Sequence, residues 1–198
     1  MAALAVGVGV YAFAILLAPN MGAPFFAARL SAMPLAVYGH VIGGAVAMIL
    51  GAFQVNALVR QRSFRRHRWL GRVYVVAVMV GGPSGLVLAM VSEGGWIAHV
   101  GFGLLAVLWF ATTAVAYLHA RRHNIAVHQQ WMIRSYALTL AALTLRLYVP
   151  SAVVSGIPFE SAYPVISWLC WVPNLIIAEW FIAAHGSNWR STTGYKSP

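Results

Sequence analysis

Apolar residues run almost unbroken through six stretches of this chain, separated by short segments rich in polar residues, glycine and proline. Runs of about 20 apolar residues match the thickness of a bilayer core, so the pattern predicts transmembrane helices. The expected spans are residues 2–18, 34–58, 69–91, 96–119, 130–149 and 163–183. No Lys or Arg precedes the first span, so the charged leader of a signal peptide is missing and the run reads as a short membrane helix. A loop with Pro19, Asn20 and Pro24 follows it. Gly81-Gly82-Pro83-Ser84-Gly85 predicts a kink inside the third span, and Pro150 is expected to stop the fifth. Residues 184–198 read as a polar cytoplasmic tail. The fold expected is all-α, a single transmembrane domain of six helices.

Within the spans two motifs recur. His40-Val41-Ile42-Gly43-Gly44-Ala45-Val46-Ala47 and His99-Val100-Gly101-Phe102-Gly103-Leu104-Leu105-Ala106 share His-Val-x-x-Gly-x-x-Ala. Trp69-Leu70-Gly71-Arg72-Val73-Tyr74 and Trp131-Met132-Ile133-Arg134-Ser135-Tyr136 share Trp-x-x-Arg-x-Tyr, each following a histidine, His67 or His128. The copies lie 59 and 62 positions apart, which suits one duplicated helix hairpin with small insertions. Two hairpins of the same orientation predict a four-helix core, helices 2–5, about a pseudo-twofold axis along the membrane normal. His40 should then face His99 near one surface, and His67 face His128 near the other.

Composition strengthens the membrane reading: 61% of the residues are hydrophobic and 8% charged, with a mean hydropathy of +0.77. Soluble domains carry roughly a quarter charged residues. There is no Asp, and the acids are Glu93, Glu160 and Glu179. The net charge of +10 suggests nucleic acid at first sight. Most of the basic residues sit in the connections after the second and fourth spans and in the tail, however, as the positive-inside rule requires, so no nucleic-acid partner is expected. The same rule puts both termini inside and the Glu93 and Glu160 loops outside, as in a multi-pass protein of a bacterial inner membrane. Trp69, Trp96, Trp131 and Trp189 fall near the expected interfaces. The single cysteine, Cys170, excludes an intrachain disulfide and reads as a small core residue.

A histidine inside a bilayer is costly unless neutral, hydrogen-bonded or ligated. Positions four and seven after a helical residue share its face, so Gly44 and Ala47 flank His40, and Gly103 and Ala106 flank His99. Two facing imidazoles beside small residues suit axial ligation of haem iron, the porphyrin lying between helices. Zinc would want three or four protein ligands, and no thiol or carboxylate accompanies these pairs; copper stays open. The competing reading is packing: Gly39, Gly43, Ala47 and Gly51 form a small-x-x-x-small stripe that needs no cofactor. His67 and His128 lie beside arginines, where solvation would explain them equally. His119 and His123, four apart, form either an inner metal clip or two surface residues, and His185 reads as surface. Arg146, at the depth of His40 and His99, is a candidate partner for a haem propionate; the alternatives are snorkelling or an ion pair with Glu160 or Glu93. Arg72 and Arg134 are inner candidates for the same role, and Arg134 has Glu179 as an alternative partner.

The run His67 to Tyr74, with Trp131 to Leu138 and Leu145-Arg146-Leu147, resembles a bacterial family of predicted multi-span membrane proteins without assigned function, over residues 34–150. More distantly, one histidine on each of four consecutive helices, spaced by 27, 32 and 29 residues, resembles the di-haem transmembrane b cytochromes of the ascorbate-dependent and ferric reductase type. That resemblance implies an outer haem on His40 and His99 and an inner one on His67 and His128. No ascorbate- or substrate-binding motif accompanies them. The function expected is a membrane b-type cytochrome, a transmembrane electron-transfer oxidoreductase working with quinone or another redox protein. The alternatives are a haem-free accessory or assembly subunit of a larger membrane complex or homo-oligomer, and a small transporter with its broken helix at Pro83. Few polar residues lie at mid-membrane to serve a transporter's substrate.

Overall fold

The computed structural model describes residues 2–18, 24–54 and 64–192. Among these the chain is helical throughout, without strands. The helices are α1 (Ala2–Leu17), α2 (Pro24–Ala32), α3 (Pro34–Gln54), α4 (Phe64–Ala89), α5 (Gly95–Arg121), α6 (Ile125–Thr139), α7 (Ala141–Val154), α8 (Phe159–Leu169) and α9 (Val172–Thr192). Five stretches are long and apolar enough to cross a membrane: 34–54, 64–89, 95–121, 125–154 and 159–185. With 16 residues, α1 rises about 24 Å, short of a hydrocarbon core of about 30 Å. Among the described residues there are thus five full-length spans where the hydropathy pattern suggests six.

Helix α3 lies along α4, α4 along α5 and α5 along α6, and α6 touches α3 to complete a ring. Outside it, α1 covers α3, α8 docks on α5, and α9 docks on α6. The core holds Ala47, Tyr74, Val78, Trp109, Leu138 and Cys170. Leu35, Val76, Trp96, Ile176 and Trp180 are exposed large hydrophobics, as a lipid-facing surface demands. We call the two ends of the bundle the Glu93 end and the Arg122 end, after the α4–α5 and α5–α6 turns.

Several boundaries differ from those the apolar runs suggest. Helix α4 begins at Phe64, not Trp69, because arginine is a good helix former whose head can stay in water beyond the apolar run. The same helix continues through Pro83 to Ala89. Pro150 does not stop the fifth span: α7 passes through it to Val154. The stop comes at Gly156, whose φ of 73° lets Ile157 N–H return to the Ala152 carbonyl at 3.0 Å, a left-handed helix ending suited to glycine. Leu140 interrupts that span, and the sixth breaks at Cys170–Trp171. There Pro173 has no N–H to offer the Leu169 carbonyl. Helix α9 runs on to Thr192, so part of the expected tail is helical. The short helix α2, between Pro24 and the proline that opens α3, lies where a loop was expected. The end of the expected second span and Arg60 to Arg62 lie outside the described residues, as do Pro19 and Asn20.

The α5–α6 turn removes the suggested His119–His123 clip. His123 takes a φ of 59°, and Asn124 N–H bonds back to the His119 carbonyl at 3.0 Å. The chain has left the helix by then, so the two histidines do not share a helical face. Among the described residues no group of three or more His, Cys, Asp or Glu side chains could hold a metal ion.

Candidate functional site at the Glu93 end

Neighbouring glycines on α3 point to opposite tasks. A Cβ on Gly43 would meet the Ala77 carbonyl oxygen at 2.5 Å and Gly81 Cα at 3.0 Å, so Gly43 is where the backbones of α3 and α4 meet. A Cβ on Gly44 would find nothing within 4 Å, and Gly44 lines a cavity of about 240 Å³. The stripe Gly39, Gly43 and Gly51 does pack helices: Gly39 against Ser84, Gly51 against the rings of Tyr74 and Tyr136. The two repeated tyrosines therefore converge on one glycine.

His40 borders the same cavity. Its ring lies against Gly85, where a Cβ would come within 2.7 Å of Nδ1, and Nδ1 is 3.1 Å from the Gly81 carbonyl oxygen. A carbonyl can only accept, so Nδ1 carries the proton and Nε2 keeps its lone pair. A hydrogen bond of this kind on the other ring nitrogen is what orients imidazoles that bind a metal. Arg146 and Arg29 also line the cavity, with Phe102, Leu105, Trp109, Leu138 and Tyr163 among its walls.

All three glutamates are among the described residues. Arg29 donates to Glu93 Oε1 at 2.8 Å and also to the Val91 carbonyl. Arg134 forms a two-pronged pair with Glu179, at 2.5 and 2.8 Å, the alternative foreseen for it. Glu160 is exposed in the first turn of α8. Arg146 donates to the Ala142 carbonyl of its own helix at 2.8 Å and lies over the Tyr11 ring at 5.7 Å. No glutamate pairs with it.

Of the candidate cofactor-binding residues, the cavity gathers His40, Gly44 and Arg146. His99, His67, His128, Gly103, Arg72 and Arg134 are not among its lining residues. His99 Nε2 donates to the Ser92 carbonyl in its own turn at 2.9 Å, and a Cβ on Gly103 would touch Leu86 of α4 at 3.8 Å. His128 repeats the His40 arrangement across α5 and α6, its Nδ1 donating to the Ala116 carbonyl at 2.8 Å. His67 sits in the first turns of α4, its carbonyl accepting from Gln54 at 2.9 Å. Arg72 is exposed.

The structure adds a hydroxyl network that the sequence reading overlooked. The Tyr74 hydroxyl meets Ser135 Oγ at 2.8 Å and Thr139 Oγ1 at 2.9 Å. Trp109 Nε1 donates to Thr139 Oγ1 at 2.8 Å, and Thr113 Oγ1 meets Ser135 Oγ at 2.6 Å. Tyr74, Thr113 and Ser135 are fully buried. Trp109 and Thr139 line the cavity, so the network forms its wall toward mid-membrane. The readable signals were Trp109/Thr113 and Ser135/Thr139, each pair four apart on one helix face, with Tyr74 in the repeated motif. A second polar knot ties the two helix interruptions together: Thr144 Oγ1 donates to the Cys170 carbonyl, and Asn174 Nδ2 to the Cys170 and Ala137 carbonyls at 3.0 and 3.3 Å. Cys170 is buried and free, as a core residue.

Fold and site together define an all-helical, multi-span membrane protein with a mainly apolar cavity in its bundle that His40, Arg29 and Arg146 border. The chain belongs to the family described as "Predicted membrane protein (DUF2306)", whose model matches residues 37–182. No curated protein matches the chain, and no solved structure does.

Proposed function

We propose that this protein is a membrane b-type cytochrome that carries electrons within or across the bilayer, with His40 as a ligand to haem iron. The observation that carries the reading is the His40 imidazole, held by Gly81 through Nδ1 and placed beside the open face of Gly44. That leaves Nε2 as the metal-competent nitrogen. The donor chemistry fits the group. At about 240 Å³ the cavity lies below the roughly 300–1,000 Å³ of pockets for drug-sized ligands, so loading requires the Glu93 end to widen. Bound haem would supply one-electron chemistry, and the protein would set its potential through ligation, burial and nearby charge.

The finer parts of the proposal rest on the sequence repeat: six spans with α1 as the first, both termini inside a bacterial inner membrane, and a duplicated hairpin. His99 is the second ligand in that scheme, which requires it to release Ser92. His128, with its Nδ1 likewise on a carbonyl, and His67 are the inner pair, with Arg72 nearby. Quinone or a redox protein is the proposed exchange partner.

A haem-free accessory subunit is the second reading. The bond from His99 to Ser92, which makes that histidine a brace for the α4–α5 turn, favours it. The reduced-minus-oxidised absorption spectrum of protein purified after expression with haem available separates the two. A sharp b-type α band supports the cytochrome; its absence rejects it in favour of the accessory role.

A further inference from the structure

The charge inventory of the cavity asks for a partner that the described residues do not supply. A guanidinium within the bilayer is expensive without a counter-ion, and such groups mark ligand or ion sites. Arg146 has none among the described residues: Glu93 and Glu179 are taken by Arg29 and Arg134 and Glu160 is exposed. Arg146 nonetheless lines the cavity, together with Arg29 and His40, on walls that are otherwise mainly apolar.

We infer that the cavity is a carboxylate-binding site: an apolar body enters it with one carboxylate on Arg146, and a second carboxylate, where present, on Arg29. The planar fork of a guanidinium matches a carboxylate through two parallel hydrogen bonds. A carboxylate and the first methylenes of a chain, or the edge of a ring, fit within about 240 Å³. Arg29 differs from Arg146 in being engaged already, by Glu93 and the Val91 carbonyl. Glu93 therefore competes with the second carboxylate, and a monocarboxylate has no need to displace it. The inference rests on the cavity being the ligand site proposed above, but not on haem. Two sources share the chemistry: a fatty acid from the bilayer, with one carboxylate, and haem, with two.

Titration of the full chain in a nonionic detergent tests it with paired probes: decanoate against decanol, and haem against haem dimethyl ester. The free acid of each pair should bind at least about tenfold more tightly, one charge-assisted pair being worth about that factor. Arg146→Gln should remove the decanoate preference and reduce the haem preference to the part carried by Arg29. Arg29→Gln should weaken haem alone, and Glu93→Gln should tighten haem while leaving decanoate unchanged. Arg146→Lys, which keeps the charge and loses the fork, should retain part of the preference and stands in if Arg146→Gln does not fold. Equal binding of acid and neutral analogue in both pairs, or a decanoate preference that survives Arg146→Gln, would overturn the site, as would the failure of every probe to bind. Preference for decanoate without any haem band would support the site and sink the cytochrome reading. A haem band with no preference over the dimethyl ester, and none for decanoate, would do the reverse.

Discussion

His40 Nδ1 donates to the carbonyl oxygen of Gly81 at 3.1 Å, while His99, its counterpart in the repeat, uses Nε2 to reach Ser92 at 2.9 Å. The two histidines therefore present opposite nitrogens. His40 leaves free the outer nitrogen, with space beside it; His99 leaves the one next to its own Cβ, off the cavity. This difference makes the cytochrome proposal testable residue by residue. His40→Ala should remove the outer haem's share of the reduced-minus-oxidised α band. His99→Ala should keep haem but leave one face of the iron open, seen as carbon monoxide binding to the reduced protein. Loss of all haem in His99→Ala and none in His40→Ala would reverse the assignment.

Gly43 and Gly44 should respond oppositely to a side chain. Gly43→Ala drives a methyl against the Ala77 carbonyl and Gly81. Neither is a flexible side-chain end, so a loss of about 1–3 kcal/mol is expected, the usual cost of overpacking. Gly44→Ala meets nothing within 4 Å and gains helix propensity of up to about 1 kcal/mol. Thermal unfolding in detergent reads both: a lower midpoint for the first, an equal or higher one for the second. Gly44→Leu should stay folded and fill the cavity, abolishing ligand binding. If Gly43→Ala unfolded no earlier than Gly44→Ala, the close approach of α3 and α4 would be wrong.

That contrast also shows what the sequence could and could not disclose. Hydropathy located the long spans, because burial in lipid demands continuous apolar length whatever the packing. The Gly39–Gly43–Ala47–Gly51 stripe was legible as a packing face because its period is that of the helix. Gly44 was legible as the open position only in being four from His40. Helix ends were less legible. Pro150 looks like a stop, yet the helix passes it, and His123 takes a left-handed conformation more usual for glycine or asparagine. The cavity's other half was hidden because Arg29, Trp109 and Thr139 come from three helices. Only tertiary packing brings them together, and no local spacing encodes it.

Tyr74 tests how much the hydroxyl network contributes. Tyr74→Phe removes the bonds to Ser135 and Thr139 but leaves Thr139 served by Trp109 and Ser135 by Thr113. No buried hydroxyl is orphaned, so the large penalty for an unsatisfied group does not apply. Side-chain hydrogen bonds between membrane helices average about 0.6 kcal/mol, so two of them suggest a loss of about 1 kcal/mol. Thr139→Val is harsher, since it strips the Trp109 indole N–H of its acceptor inside the core. Unfolding midpoints should fall in the order wild type, Tyr74→Phe, Thr139→Val. A Tyr74→Phe protein as impaired as Thr139→Val would mean that the Tyr74 hydroxyl has a role beyond these bonds.

The Arg134–Glu179 pair joins α6 to α9 near the Arg122 end, with Arg134 also over the Trp131 ring at 4.6 Å. Its two-pronged geometry would suggest a strong clamp, but the side chains are 19% and 48% exposed, so solvent screens much of the attraction. A half-exposed pair is worth about 0.5–1 kcal/mol, weakened further by salt. Glu179→Gln should lower the unfolding midpoint by only that modest amount, and the difference from wild type should shrink as salt is added. The cation–π contact to Trp131 does not depend on Glu179 and should persist. The double variant Arg134→Met, Glu179→Met decides between a clamp and a convenience. Replacing both charges by apolar groups of similar length removes the desolvation cost along with the attraction. Stability near that of wild type is therefore expected from the double variant, with each single variant less stable than both. A double variant no better than the worse single would show that the pair holds α9 in place by more than its charge.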